Sequence, residues 1–265
     1  MRMVKASQVN FVSQGTGPPV ILIHGLAASL HDWTYLAPEL ASRGFAAHAL
    51  DLLGHGASAK PEHPEEYHIE QVYRHFQGWL DSLGLPEPLI LVGHSLGGYL
   101  SLLHAIRHPG RVRRMVLIDP FYERSQLSMI LRLASRQPEW GEKAVLITPG
   151  WVVDAVIGWH PDLALHASPE IQRQMAADYK RASPHVAYIT RDLPDLSANL
   201  AQVAVPTLVI WGDADQTLHP ASFPRLVRSM GCACGHPISG TGHLPHISHP
   251  AQVNRLILEY IERNA

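Results

Sequence analysis

Apolar and polar positions alternate along this chain in two rhythms. Short, nearly continuous apolar runs occur at "PPVILIHG" (18–25), "GFAAHALDL" (44–52), "PLILVGHS" (88–95), "RRMVLIDP" (113–120) and "VPTLVIWGD" (205–213). Runs this short and this apolar, closing on or near Gly, Asp or Ser, predict strands covered on both faces of a parallel sheet. Longer amphipathic stretches between and after them predict helices over about 67–83, 96–107, 219–230 and 249–263. The last shows the spacing plainly, with Val253, Leu256, Ile257, Tyr260 and Ile261 on one face. A further strand is expected near 232–238. Strand–helix alternation of this kind predicts a doubly wound, mostly parallel α/β sheet with right-handed crossovers.

One interval breaks the rhythm. From Phe121 to about Asp195 no buried strand is evident, only helical pieces punctuated by Pro and Gly. A segment of that length is too long for a plain connection and should carry its own structure. The expected organisation is therefore a core domain of residues 1–120 and 196–265, with a helical cap at 121–195. The cap's Met129, Leu131, Trp151 and Trp159 are candidates for an apolar cavity wall. They are equally candidates for the packing between cap and core.

Composition narrows the class without naming a chemistry. The chain has 265 residues, 46% hydrophobic and 17% charged, which fits an ordered globular protein. A formal charge of −2 gives nucleic acid or an anionic membrane nothing to hold, so neither is expected as a partner. No continuous apolar segment marks a signal peptide or a bilayer span, and the expected location is cytoplasmic. Monomer and homodimer are equally open.

The strongest chemical signal is "LILVGHSLGGYLSLLHA". A buried strand runs through Gly93-His94-Ser95-Leu96-Gly97 directly into a helix. That turn is tight enough to strain Ser95 and to push its hydroxyl out at the C-terminal edge of the sheet. A serine needs a base, and the base needs a partner to orient it. His243, in "SGTGHLPHISHP", lies on a glycine-flanked loop after the last expected strand. Its imidazole suits proton transfer near neutrality. Three carboxylates follow strand tips on the same edge, Asp119, Asp213 and Asp215, and the residues alone leave that choice open. The backbone N–H groups of Leu26, past the first strong strand, and of Leu96, past Ser95, are candidates for an oxyanion hole.

"GCACGHPISGTGHLPHISHP" (231–250) holds both cysteines and four of the chain's 18 histidines, a density that resembles a metal site. Its spacing does not support one. His243, His246 and His249 are three apart, but Pro245 and Pro250 interrupt the helix that would align them. Cys232 and Cys234 read as small packing residues of the last strand. No metal or other cofactor is expected.

The pieces "HGLAAS", "DLLGHGASAKP", "GHSLGG", "WGDADQTLHP" and "GHLPHISHP" together resemble the α/β-hydrolase fold family, in particular its cap-bearing esterases. They occur in the family's order over positions 24–250. The resemblance implies that fold, with the cap inserted after the sixth strand. It also implies a catalytic triad of Ser95, Asp215 and His243, favouring Asp215 over the other two acids. Relatives often carry Glu where this chain has Ser248, a change expected to touch local capping and not chemistry. Haloalkane dehalogenases and epoxide hydrolases of this fold place Asp at the elbow, so Ser95 argues against both. The resemblance implies hydrolysis of a small-molecule carboxylic ester through an acyl-enzyme. Thioester, lactone or C–C bond hydrolysis, cofactor-free haloperoxidation and a non-catalytic binding role are the alternatives. "HGLAAS" lacks the additional glycines common among the C–C hydrolases.

Overall fold

The chain lays down seven strands: β1 (Phe11–Gln14), β2 (Pro19–Ile23), β3 (Ala46–Leu50), β4 (Leu89–His94), β5 (Val112–Ile118), β6 (Thr207–Gly212) and β7 (Ala233–Ile238). The computed structural model describes residues 8–159 and 167–263, the side chains of 130, 134 and 157–159 excepted. The strands join in one sheet, ordered β1-β3-β2-β4-β5-β6-β7. All neighbours are parallel except β1, which runs antiparallel along β3.

Strand residues alternate between two apolar layers, as the two-residue period of a pleated sheet requires. Val20, Leu22, Ile90, Val92, Val116, Ile118, Leu208 and Ile210 face one layer. There they meet Leu36 and Leu40 of α1 (Leu36–Ser42) and Val253, Ile257 and Ile261 of the C-terminal helix Pro250–Glu262. Ile21, Ile23, Leu91, Met115, Leu117 and Val209 face the other. Their partners include Val72, Phe76 and Trp79 of α2 (Ile69–Ser82) and Tyr99 of α3 (Leu96–Arg107). The central strands are buried along their length because both faces are covered.

Between β5 and β6 come α4 (Met129–Ala134), α5 (Pro138–Ile147), α6 (Gly150–Trp159) and α7 (Pro169–Arg181). Counted along the described strands this insertion follows the fifth, not the sixth, because a single short strand precedes β2. Among the described residues the remaining α-helices are α8 (Ser222–Ser229), the one-turn α9 (Pro245–Ser248) and α10 (Pro250–Glu262). Pro245 and Pro250 each open a helix, at the position where proline's missing N–H is harmless.

Two sequence expectations need correction. Cys232 and Cys234 are both exposed and free, not packed in a core. β7 is an edge strand, paired on one side only, so its residues escape the two-sided burial of the inner strands. Met129 and Trp151 are 84% and 73% exposed, so they form neither cavity wall nor packing layer. The side chain of Trp159 lies outside the described residues. Among the described residues no helix is long and apolar enough to cross a membrane.

Candidate active site

β4 ends at His94 and α3 begins at Leu96, leaving one residue, Ser95, to make the turn. Ser95 has φ 51° and ψ −110°, a strained conformation for a residue with a side chain. It is held there from both sides. Its N–H donates to the Ile118 carbonyl at 3.0 Å, and its own carbonyl accepts the N–H groups of Tyr99 and Phe121, each at 3.1 Å. The turn also brings α3 hard against β2. A methyl group on Gly97 would fall on the Ile23 carbonyl oxygen and lie 2.8 Å from that of His24. Gly97→Ala is therefore expected to lower stability by ~1–3 kcal/mol through overpacking, read as a shift in the urea midpoint. An unshifted midpoint would show that β2 and α3 can part without penalty.

The structure brings Ser95, His243 and Asp215 into one hydrogen-bonded line. The Ser95 hydroxyl lies 3.0 Å from His243 Nε2, and His243 Nδ1 lies 2.7 Å from Asp215 Oδ2. Asp215 is 5% exposed, and its other oxygen accepts the N–H groups of Thr217 (2.7 Å) and Leu218 (3.0 Å). That fixes the tautomer: Nδ1–H donates to the carboxylate, and Nε2 is left to accept from the serine. Burial works to raise the Asp215 carboxyl. The His243 charge and hydrogen bond, with the two amides, outweigh it and hold the group below its ordinary range. Burial pushes the His243 imidazole below its usual value, and Asp215 only partly opposes this.

The other two acids do different work. Asp213 is exposed and accepts the Gly240 N–H (2.7 Å) and the Ser239 hydroxyl (3.0 Å), tying the end of β6 to the turn that follows β7. Asp119, fully buried at φ 40°, accepts the Gly212 N–H at 3.0 Å and ties β5 to the tip of β6. A ligand atom of each of Asp119, Asp215 and His243 lies within 4.8 Å of the others.

Leu26 and Leu96 both line a cavity of about 410 Å³ whose wall also carries Ser95 and His243. Leu96 is the first residue of α3, so its N–H is one of those a helix start leaves unpaired within the helix. The loop bearing Leu26 is set by residues the sequence reading did not single out. His55 Nε2 accepts the Ala27 N–H at 3.0 Å while its Nδ1–H donates to the Leu53 carbonyl at 2.9 Å. Asp51 accepts the Leu30 and Ala57 N–H groups at 2.9 and 2.8 Å. Both residues sit in the "DLLGHGASAKP" stretch, so the signal was present without a role attached. His24 packs behind the same loop, accepting the Leu52 N–H at 3.0 Å.

A second group of donors lies beyond the hydrogen-bonded line. Asp32, His94 and His246 are buried, each with one ligand atom within 4.8 Å of the others. Asp32 Oδ2 is 3.7 Å from His94 Nδ1 and 4.0 Å from His246 Nε2. Both gaps exceed the roughly 3.3–3.4 Å between ligands that tetrahedral zinc bonds of ~2.0–2.1 Å impply geometrically. Of the histidines in the Cys/His stretch, His243 joins the line, His246 joins this group, and His249 bonds to Ser248 at 3.1 Å and precedes α10.

A match to the alpha/beta hydrolase fold spans residues 18–250. The chain belongs to the alpha/beta hydrolase fold family. Among solved structures of that fold, a thermophilic esterase from Thermogutta terrifontis, with malate bound, is 25% identical. It aligns over 96% of this chain and 93% of its own at a TM-score of 0.82. A hydrolase from Pseudomonas aeruginosa is 26% identical over 96% and 94% of the two chains, at 0.79. Among curated sequences, bifunctional epoxide hydrolase 2 of Sus scrofa is 25% identical over 307 residues. That alignment takes in 97% of this chain and 54% of the relative, so this family member spans about half the length of such relatives.

Proposed function

We propose that this protein is a serine hydrolase of carboxylic esters, with Ser95 as nucleophile, His243 as general base and acid, and Asp215 orienting the imidazole. The observation that carries this reading is the hydrogen-bonded line Ser95–His243–Asp215 opening into an apolar cavity. As Ser95 attacks the ester carbonyl, His243 Nε2 takes its proton and then delivers it to the departing alcohol. Asp215, already ionised, stabilises the transient imidazolium. The amides of Leu26 and Leu96 receive the negative oxygen, each worth ~2.7–4 kcal/mol of transition-state stabilisation. Water then repeats the sequence on the acyl-enzyme. The serine also separates this chain from epoxide opening, since the epoxide hydrolases it resembles place Asp at the elbow.

Leu26, Phe121, Leu127, Val145, Val186 and Leu218 dominate the cavity wall, and Ser95, Ser135, Tyr179, Thr190, Thr217 and His243 supply its polar atoms. Among the described residues no Lys, Arg, Asp or Glu lines it, so a charged acyl group would find no partner there. Its volume of about 410 Å³ lies at the small end of ligand sites. Residues 121–195 are proposed to act as the cap that closes this space. A p-nitrophenyl ester series is expected to peak at about four to eight acyl carbons and to fall at least tenfold by about sixteen. Activity rising steadily with chain length would contradict the cavity assignment. Absence of turnover on every ester would overturn the reaction class.

The base must be neutral to act. With burial lowering its pKa, kcat/KM should fall on acidification through a midpoint below the ordinary ~6.5 of histidine. A midpoint above 6.5 would show that Asp215 outweighs desolvation.

A further inference from the structure

We propose that His94, the residue before the nucleophile, is a positioning residue that clamps the main chain of the catalytic base. This rests on the reading of His243 as that base. His94 Nε2 lies 2.9 Å from the His243 carbonyl oxygen. A carbonyl only accepts, so Nε2 carries a proton and donates it.

The clamp closes a short mechanical circuit. His94 is the last residue of β4, in register with Ile118 of β5 in the middle of the sheet. Its ring is 3% exposed and packs 4.9 Å from the His243 ring and 4.5 Å from the His246 ring, centre to centre. His246 is itself backed by Trp33 at 5.4 Å. The loop that carries His243 has Gly240 at φ 73° and is tied further back by the Ala214 N–H to the Thr241 carbonyl, 2.9 Å. Asp215 fixes the imidazole at Nδ1, but a side-chain bond alone does not fix where the peptide of residue 243 sits. The His94 donor does. Nucleophile and base are thereby referenced to the same rigid strand end, although they are far apart in the chain.

This arrangement makes a specific demand on His94 that volume alone would not satisfy. The donor must stand at Nε2 reach, which Gln approximates and Leu lacks. A displacement of the base by ~1 Å is enough to cost on the order of 10²-fold in rate. Binding in the apolar cavity does not pass through this bond, so the loss should appear in kcat and leave KM within about threefold.

The test compares His94→Leu and His94→Gln with the parent on a p-nitrophenyl ester. His94→Leu is expected to lose on the order of 10²-fold in kcat, and His94→Gln to recover at least tenfold of that. Equal losses in the two variants, or a folded His94→Leu with kcat within threefold of the parent, would overturn the clamp. A measurement on the parent alone stands apart from turnover and from the folding of any variant. In its NMR spectrum an Nε2–H proton of His94, slow to exchange with solvent, should show close contacts to His243. A fast-exchanging or absent Nε2–H overturns the proposal even if the protein proves an efficient esterase. A protected one with no ester turned over would keep the His94–His243 hydrogen bond and overturn instead the reading of His243 as the base.

Discussion

Ser95→Ala is expected to reduce kcat for ester hydrolysis by on the order of 10⁴–10⁶-fold, with the protein still folded. Only the hydroxyl is removed, and nothing else among the described residues of the cavity wall can replace it. Thr217 and Ser135 also line the cavity, but the imidazole Nε2 bonds to Ser95. The backbone at 95 is anchored through its N–H and carbonyl, and alanine keeps both anchors. The urea midpoint should accordingly move little. What remains should be the activity of the oxyanion amides acting on bound ester with water as nucleophile. Measurement of kcat and of covalent labelling by a fluorophosphonate would decide it. Comparable turnover in parent and variant would remove Ser95 from the reaction altogether, and with it the line built on His243 and Asp215.

The second large effect concerns acid. His55 and His246 are pushed down to about 3, and His75 and His104 to about 4, burial being the main cause in each. In the unfolded chain each takes a proton near ~6.5. Below that pH the unfolded state therefore binds about four more protons than the folded one, so stability falls as pH falls. The slope reaches about 5 kcal/mol per pH unit once these histidines are charged in the unfolded chain. Against a typical net stability of ~5–15 kcal/mol, the folded state should be lost within about two to three units below 6.5. The carboxylates of Asp32, Asp51 and Asp215 are held below their ordinary range. They contribute stability above that range, and its loss on further acidification only adds to the collapse. Urea midpoints followed by circular dichroism at about pH 7.5, 6.5 and 5.5 should drop steeply across the last interval. A level midpoint would mean that these buried rings accept protons without unfolding.

Four buried histidines are thus expected to set the acid limit of the fold, which composition hid. Read in the sequence they were a distraction, because count and spacing carry no information about burial. Ser95 was legible for the opposite reason. A buried strand, two glycines and a helix together force one backbone geometry, and that geometry has few other uses. The central strands were legible because two-sided burial leaves unbroken apolar runs. α1 was not, since "LAPELAS" is short and carries Pro38 within it. β1 was not either, because all four of its residues are exposed and only its pairing with β3 makes it a strand. The acid could not be chosen on residues alone: Asp119, Asp213 and Asp215 all follow strand tips, and only the direction of each carboxylate separates them. Asp32 and His246 stand 214 positions apart in sequence, and no local pattern joins them.

The insertion between β5 and β6 has a consequence for how this architecture tolerates change. The two strands pair directly, yet about 90 residues of chain run between them. Loop closure grows only with the logarithm of length, so extending a ~20-residue crossover to that size adds roughly 1.3 kcal/mol. One or two good contacts offset it. Asp178 of α7 accepts the Ser29 hydroxyl at 2.8 Å, and the Ser183 N–H donates to the Gly54 carbonyl at 2.7 Å. As far as loop closure goes, the insertion can therefore lengthen or shrink at little thermodynamic penalty while the sheet and its strand tips stay put. Drift in sequence should accordingly run fastest through the walls of the cavity and slowest at its floor.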